Sequence, residues 1–215
     1  VVLIMTVLAL LLAVWLNEKN TKLNRLLQAA IFCPHVVSIV SISLIWLWMM
    51  EPNFGLFNYL LRKMGLPTSA WLSGSSTAMP SVILVSVWKS VGYDTLIFLD
   101  AQQGVSASLY EAARMDSANK VAVFFKITLP MISPQLFFTL IIRTISSFKV
   151  FDTVRILTQG GPNNATTTLV YSIYTEALLN LRIGYSAAIG VILLIIISIL
   201  TIIYFWGFSR KVHYQ

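Results

Sequence analysis

The sequence has 215 residues, of which 57% are hydrophobic and only 11% are charged, and its mean hydropathy is +0.80. Soluble domains are nearer half apolar and a quarter charged, so the composition favours an integral membrane protein. The net charge of +7 does not indicate a nucleic-acid surface, because no basic stripe with interleaved aromatic residues occurs. In membrane proteins Lys and Arg gather in cytoplasmic loops instead.

Five apolar runs approach the roughly 20 residues that a transmembrane helix needs. The first run lacks a charged leader, so we expect it to be the remainder of a span that starts before residue 1. None of the runs alternates as a barrel strand would, so we predict an all-α, polytopic helix bundle forming one membrane domain over 1–215. The predicted spans are 1–16, 26–50, 77–100, 129–150 and 186–207.

Basic residues in the connections orient these spans, because Lys and Arg are enriched on the cytoplasmic side. They occur in the link 17–25 and in the tail 208–215, and four spans between the two return the chain to the same side. The basic residues are Lys19, Lys22, Arg25, Arg210 and Lys211. This predicts that 17–25, 100–130 and 208–215 are cytoplasmic and that 51–76 and 151–185 are outside.

Several polar residues lie inside the predicted spans, where a charge costs about 2.5–3.5 kcal/mol at the centre and therefore faces a bundle interior or a cavity. The spacing of Ser86, Lys89 and Tyr93 places them on one helix face, and Arg143 and Ser147 share another. Two polar faces on neighbouring helices are what a substrate route near the midplane requires. The candidate pathway residues are His35, Ser86, Lys89, Tyr93, Arg143 and Ser147.

Structural interpretations of these residues stay open. His35 could hydrogen-bond to a neighbouring helix. Lys89 and Asp94 are five residues apart and therefore poor partners on one helix, so each would snorkel or pair with another helix. The histidines His35 and His213 lie far apart, and neither metal-ligand spacing nor a P-loop occurs. No catalytic residue and no metal site is predicted, and the single cysteine, Cys33, is read as a small hydrophobe.

A charged, alanine-rich segment, LYEAARMDSANKVAVFFKITLP, interrupts the apolar chain at 109–130. Its first part consists of strong helix formers. The tripeptide Glu111-Ala112-Ala113, followed by Asp116 and by the ITLP sequence at 127–130, resembles the EAA loop of binding-protein-dependent ABC importer permeases. That family's pattern is EAA, three residues, Gly, about nine residues and then I-x-L-P.

Further stretches carry the same resemblance. PNFGLFN at 52–58 is similar to the family's outer-loop pattern, and SFKVFD at 147–152 and LTQGGP at 157–162 are similar to the stretch after its fifth span. These matches point to the carbohydrate branch, which includes permeases similar to the maltose and glycerol-3-phosphate importers. The resemblance covers essentially the whole chain, and it implies the type I importer permease fold with six spans, one of them before residue 1.

The resemblance implies a transport subunit in the cytoplasmic membrane of a bacterium or archaeon, not an enzyme and without a cofactor of its own. Its implied partners are a second homologous permease, an extracytoplasmic solute-binding protein and two ATPase subunits, which hold ATP and Mg. The loop 100–130 would form a coupling helix seated on an ATPase. The implied coupling residues are Glu111, Ala112, Ala113, Arg114, Asp116, Ser117, Leu129 and Pro130.

One position departs from the family pattern, because Ser117 stands where the family has glycine. Left-handed backbone costs residues other than glycine roughly 1–2 kcal/mol. We therefore expect Ser117 to act instead as the N-cap of the second short helix, SANKVAVFF, a role in which serine is favoured.

The implied substrate is a sugar or oligosaccharide, neutral or acidic, and the second possibility is a sugar phosphate or glycerol phosphate. Lys89 and Arg143 could bind anionic groups, hydrogen-bond to hydroxyls, or pair with acids on the partner permease. One rival hypothesis is a membrane enzyme that uses Arg143 and His35 on a lipid-linked substrate, but no paired nucleophile or acid–base group accompanies them. The other rival, a purely structural membrane subunit, accounts poorly for charges inside spans.

Overall fold

A computed structural model describes residues 1–17 and 22–208 of the chain. Regular structure in these two ranges is entirely helical, as the apolar runs predict. Four of the residues discussed above, Lys19, Arg210, Lys211 and His213, lie outside the described residues.

The helices follow the predicted apolar runs and the connections between them. Short 3₁₀ or π-helical turns occur at Trp71–Ser73, Phe124–Thr128 and Thr175–Leu179. The α-helices are α1 (Val2–Asn17), α2 (Lys22–Val36), α3 (Ile39–Met49), α4 (Leu56–Lys63), α5 (Ala78–Gln103), α6 (Ala107–Met115), α7 (Lys120–Val123), α8 (Leu129–Met131), α9 (Ser133–Phe148), α10 (Asp152–Leu157), α11 (Leu169–Tyr174) and α12 (Ile183–Phe208).

Within the described ranges, α5 and α12 are each long and apolar enough to cross a membrane alone. Two bent pairs reach that length only when each is counted as one span, which raises the number to four. The first pair is α2 with α3, bent by 97°, and the second joins Lys120–Met131 to Ser133–Leu157 with a bend of 71°. Helix α1, with 16 residues, is shorter than a full span.

The bend between α2 and α3 has a local cause in the sequence. Pro34 lies inside α2, which ends two residues later at Val36. Proline lacks the N–H of an intrahelical bond and its ring clashes with the preceding turn, so it kinks or ends a helix. Helix α3 then begins at Ile39, after Ser38 has adopted a non-helical conformation with φ −53° and ψ 134°.

The first of two compact units comprises Pro34–Lys89 and Ile145–Ser198 together with Val1. Its core forms where α10 packs on α3, and the same apolar cluster includes residues of α5. Trp46 contacts Trp88 edge-on, with ring centroids 5.3 Å apart. The buried members of this cluster are Ile42, Trp46, Met50, Leu72, Val82, Val85, Val154 and Leu157.

The second unit comprises the described residues within 2–33, 90–144 and 199–215. In its core the fully buried Ala9 and Ala13 of α1 cluster with the buried Phe98 of α5. A Cβ atom on Gly92 of α5 would overlap the backbone carbonyl of Ile31 in α2. Small residues at these positions allow close helix approach, which is how membrane helices gain packing contacts.

Candidate functional site

The segment between α5 and α9 consists of two short helices joined by a tight turn. At the end of α6 the N–H of Ser117 donates to the carbonyl of Arg114 at 3.0 Å, and the N–H of Ala118 donates to that of Ala113 at 3.0 Å. Ser117 has a φ of +53°. This hydrogen-bond pattern with a left-handed residue is the Schellman motif, in which that residue is usually glycine.

The expected N-cap role of Ser117 is wrong. The residue that caps α7 is Asn119, which has extended backbone and whose Oδ1 accepts the N–H of Ala122 at 2.7 Å. Ser117 occupies the left-handed position of the turn, so the family's glycine geometry is retained with a serine in place. The physical reason is that Asn119 already supplies the cap oxygen two residues later, which leaves Ser117 to close α6.

Helix α6 has an anchored face and an exposed face. On the anchored face Ala113 is buried, and the hydroxyls of Tyr110 and Thr128 hydrogen-bond at 3.2 Å. The exposed face carries Glu111, Ala112 and Met115, with Met115 87% exposed. Helical periodicity places these three residues on one side of α6, so α6 presents a carboxylate and an apolar side chain outward from a fixed support.

The remaining predicted coupling residues are distributed around this helix pair. Asp116 ends α6 and is exposed. Arg114 lies beside a cavity of about 270 Å³ formed by the chain itself. Leu129 and Pro130 open α8, where proline in the first turn is compatible with a helix. The predicted set therefore does not form one surface, and its charged members Glu111, Arg114 and Asp116 are all exposed.

Lys89 contacts the broken end of α2. Its Nζ lies 2.9 Å from the carbonyl oxygen of Val37, 3.1 Å from that of His35 and 3.4 Å from that of Pro34. The last carbonyls of a helix have no intrahelical partner and form the negative end of its dipole. An ammonium group has three N–H donors, so Lys89 supplies one donor for each of the three carbonyls.

Arg143 pairs with a buried carboxylate of its own chain. Its Nε donates to Oδ1 and Oδ2 of Asp94 at 2.7 Å and 2.8 Å, and its Nη2 lies 2.6 Å from Oδ1. The Asp94 side chain is 1% exposed and that of Arg143 is 12% exposed. The guanidinium also lies 5.4 Å from the ring centroid of Tyr93, within cation–π range. The alternative in which Asp94 pairs with another helix is thus confirmed.

The predicted pathway residues fall into both units. His35, Ser86, Lys89 and Ser147 belong to the first unit, and Tyr93 and Arg143 belong to the second. Within the first unit the contact between His35 and Lys89 is made by the His35 backbone, and the Ser86 hydroxyl donates to the Val82 carbonyl of its own helix at 2.9 Å. A role of these residues in a substrate route stays a prediction.

A structural carboxylate that sequence reasoning did not single out is Glu51, which follows α3. Its Oε2 accepts the N–H of Asn53 at 2.6 Å and that of Phe54 at 2.7 Å. The N–H of Phe54 is the largest cause that lowers the pKa of Glu51 from its ordinary value, since it stabilises the charged form. The carboxylate thereby closes the turn that begins the PNFGLFN stretch.

Asn58 gives the same stretch a second internal support. Its side chain is almost fully buried, and its Nδ2 donates to the carbonyls of Pro52 and Ser69, both at 2.8 Å. Its Oδ1 accepts from the indole N–H of Trp71 at 2.9 Å. The signal available in the sequence was the polar Asn58 in an otherwise apolar stretch of α4, because buried amides need full hydrogen bonding.

These features define a polytopic helical membrane protein with internally paired charges in its apolar helices and an exposed charged helix between two of them. The chain belongs to the family described as the binding-protein-dependent transport system inner membrane component, whose model matches residues 5–213. The resemblance read from the EAA-type motif is therefore confirmed.

Two curated relatives of the chain carry the same description. This chain is 40% identical over 197 residues to the sn-glycerol-3-phosphate transport system permease protein UgpA of Yersinia pestis bv. Antiqua (strain Antiqua). The match covers 89% of this chain and 65% of that protein. The chain is 37% identical over 183 residues to UgpA of Brucella suis biovar 1 (strain 1330), covering 85% and 62%. The chain thus spans less than two thirds of the length of these relatives.

Solved structures confirm the fold. The chain is similar to a chain of a bacterial alginate ABC transporter in complex with an alginate pentasaccharide-bound periplasmic protein, with a TM-score of 0.86, 26% identity and coverage of 94% of this chain and 71% of that one. It is also similar to a bacterial ABC transporter involved in the import of the acidic polysaccharide alginate, with a TM-score of 0.86, 25% identity and coverage of 99% and 78%. The fold is that of type I ABC importer permeases.

Proposed function

We propose that this chain is the membrane permease subunit of an ATP-driven importer in a bacterial cytoplasmic membrane. In this proposal the chain moves a carbohydrate-related substrate by alternating access, and ATP hydrolysis takes place on two partner ATPase subunits. A second permease completes the pathway, and a solute-binding protein delivers substrate from outside. The observation that carries the proposal is the exposed face of α6, which presents Glu111 and Met115 from an anchored helix.

The chemistry of that face supports docking to a protein cleft. Beyond α6, Val121 and Phe125 are 65% and 61% exposed, so the segment offers exposed apolar side chains in addition to Met115. Interfaces of this kind gain energy from a few buried apolar anchors and gain orientation from charged groups. Glu111 would meet a basic group of the ATPase, while Met115 would enter an apolar pocket.

Contacts inside the second unit give a route by which a displaced α6 could move the membrane helices. The hydrogen bond between Tyr110 and Thr128 links α6 to the residue that precedes α8. Helix α9 follows, and its Arg143 is held to Asp94 of α5. Movement of α6 would thus reach α5 and α9 through contacts that are already formed.

The test of this function is the charge reversal Glu111→Lys in the assembled transporter. We expect ATPase subunits to co-purify poorly with this variant and uptake in proteoliposomes to be lost. The control is Lys63→Glu, a reversal at an exposed residue of α4. Lys63 lies in the segment predicted to be outside, so the change should leave ATPase binding unchanged. Normal uptake by Glu111→Lys would refute the proposed coupling role.

For the substrate, we propose a small anionic carbohydrate derivative, with a glycerol or sugar phosphate first and an acidic oligosaccharide second. The relatives at 40% identity carry the name of sn-glycerol-3-phosphate, and the similar structures concern the acidic polysaccharide alginate. Lys89 and Arg143 already have partners in the chain. We therefore assign them a structural role, in which they stabilise the helices that line the substrate route, and not direct substrate binding. Selectivity would then lie mainly in the solute-binding protein.

Uptake measurements distinguish these substrates. Proteoliposomes with the complete transporter and its binding protein should accumulate labelled sn-glycerol-3-phosphate when ATP is supplied. Excess unlabelled acidic oligosaccharide should compete if the second possibility holds, whereas a neutral disaccharide should not. Transport of the neutral sugar alone would contradict the anionic assignment while leaving the permease function intact.

A further inference from the structure

A cavity of about 270 Å³ lies within the second unit, next to the anchored side of α6. Its lining includes the almost completely buried Gln102 and Thr128, and exposed residues that include Asn17, Arg114 and Lys120. The cavity therefore combines a buried polar wall with an accessible cationic edge.

Gln102 is the feature that points to a ligand. Its side chain is 3% exposed, and its Nε2 has no hydrogen-bond partner among residues 1–17 and 22–208. Most buried polar atoms in native proteins are hydrogen-bonded, so an unpartnered amide that lines a cavity indicates an acceptor that occupies the cavity. Because both N–H groups of Nε2 are donors, the missing partner must supply acceptor oxygens.

The charges around the cavity specify an anionic acceptor. Among the described residues that line the cavity, Arg114 and Lys120 carry positive charges and none carries a carboxylate. A guanidinium matches the oxygens of phosphate in a bidentate geometry, and an ammonium adds a compact charge. Typical small-molecule pockets measure roughly 300–1,000 Å³. At about 270 Å³ the cavity is suited to a phosphate or a small phosphate ester, and it is too small for an oligosaccharide.

We infer that this cavity binds a phosphate group through the Gln102 amide and the Arg114 guanidinium, with the positive charge of Lys120 at its edge. The group can belong to a soluble phosphate or to the headgroup of a phospholipid, since both present the same oxygens. Its ligands come from α5, α6 and α7, so a bound phosphate joins the end of α5 to both short helices. The inference does not depend on which substrate the chain carries.

Binding is tested on the complete transporter in nanodiscs, with two probes that separate the sources. Inorganic phosphate is titrated by calorimetry into phosphatidylcholine nanodiscs. Retention of phosphatidylglycerol is measured by native mass spectrometry after reconstitution in mixed lipid. Saturable phosphate binding identifies a soluble ligand, and selective retention of phosphatidylglycerol identifies a lipid headgroup. Absence of both overturns the inference.

Three variants locate the binding. Gln102→Met removes the amide and retains an unbranched side chain, and Arg114→Gln removes the accessible charge, so each should weaken binding at least tenfold. Lys126→Gln is the matched control, because Lys126 is an exposed cation of the same segment that does not line the cavity. Equal weakening by Lys126→Gln, or unchanged binding in Arg114→Gln, overturns the assignment. Arg114→Gln keeps the test decisive even where Gln102→Met disturbs folding, since Arg114 is exposed.

Discussion

The charges inside the apolar helices and the charges of the segment 107–131 are handled differently by the chain. In the helices, Arg143 pairs with a carboxylate that is 1% exposed, and Lys89 donates to three carbonyls. In the segment, Glu111 and Asp116 are exposed. Charges in the first region hold the helices in place, whereas we expect the exposed Glu111 and Asp116 of the second to be available to a partner.

This difference shows that the depth of a charged residue within a predicted span does not indicate whether that residue contacts a substrate or a partner protein. A charge in an apolar environment needs its compensation within the fold, because the cost of leaving it unpaired is high. An exposed charge has little influence on stability, so it can be selected for binding. Mutations should therefore affect folding in the first region and binding in the second.

The largest expected effect follows from breaking the buried pair with Arg143→Gln. Removing one partner of a buried ion pair leaves the other charge uncompensated, which costs about 3–5 kcal/mol. The free energy of unfolding of the purified permease should fall by that amount. Thermal unfolding followed by tryptophan fluorescence in detergent measures the change.

A double variant separates pairing from a direct role of either charge. Asp94→Leu combined with Arg143→Met removes both charges with limited change in volume, and such replacements are often neutral or stabilising. The double variant should recover most of the stability that Arg143→Gln loses. If it stays as unstable as the single variant, the pair is not what holds α5 to α9.

Lys89→Met should have the next largest effect. Hydrogen bonds to charged groups contribute about 1.5–3 kcal/mol each, but the three carbonyls share one ammonium and the break in α2 can recruit water. We expect a loss of about 2–3 kcal/mol, measured by the same unfolding experiment. Lys63→Met, at an exposed cation of α4, is the control and should change nothing. A stable Lys89→Met would mean that the bend at Pro34 needs no cation.

The sequence predicted the helices well and the contacts between them poorly, for identifiable reasons. Each predicted span contains helix because apolar composition and length are local properties. The pairing of Asp94 with Arg143 joins residues 49 positions apart, and periodicity within one helix carries no information on such a contact. The partner of Lys89 is backbone exposed by a helix break, which residue types alone do not reveal.

The segment 107–131 shows the same limit at shorter range. The motif located the helix pair, but which residue would adopt a left-handed conformation and which would cap depended on a competition between neighbours. Asn119 and Ser117 are both acceptable N-caps by type. The structure places the cap at Asn119 and the positive φ at Ser117. Which residue takes which role depends on where α6 ends and α7 begins, and residue type alone does not determine those two positions.

Ser117→Gly tests whether the exposed region can be altered without loss of its fold. Relief of a left-handed serine gains roughly 1–2 kcal/mol, and the greater freedom of glycine in the unfolded chain removes about 0.5–1 kcal/mol. The net expectation is a stabilisation of about 0.5–1 kcal/mol, with unchanged binding of ATPase subunits in a pull-down. Ser117→Val, which disfavours positive φ more strongly, should be destabilising. Lower stability of Ser117→Gly would contradict the assigned turn.

The smallest effect concerns Glu51, which lies outside the apolar helices but has partners in its own chain. Its folded-state pKa is lowered by the N–H of Phe54, so its contribution to stability is present above the pKa of the unfolded chain. That contribution is lost as the pH falls through the folded-state pKa, which lies below the ordinary value of about 4.3. Melting temperatures between pH 6 and pH 3 should decline less steeply in Glu51→Gln than in the wild type. Parallel curves would show that this carboxylate, although hydrogen-bonded, contributes no more to stability than an exposed carboxylate such as Glu111.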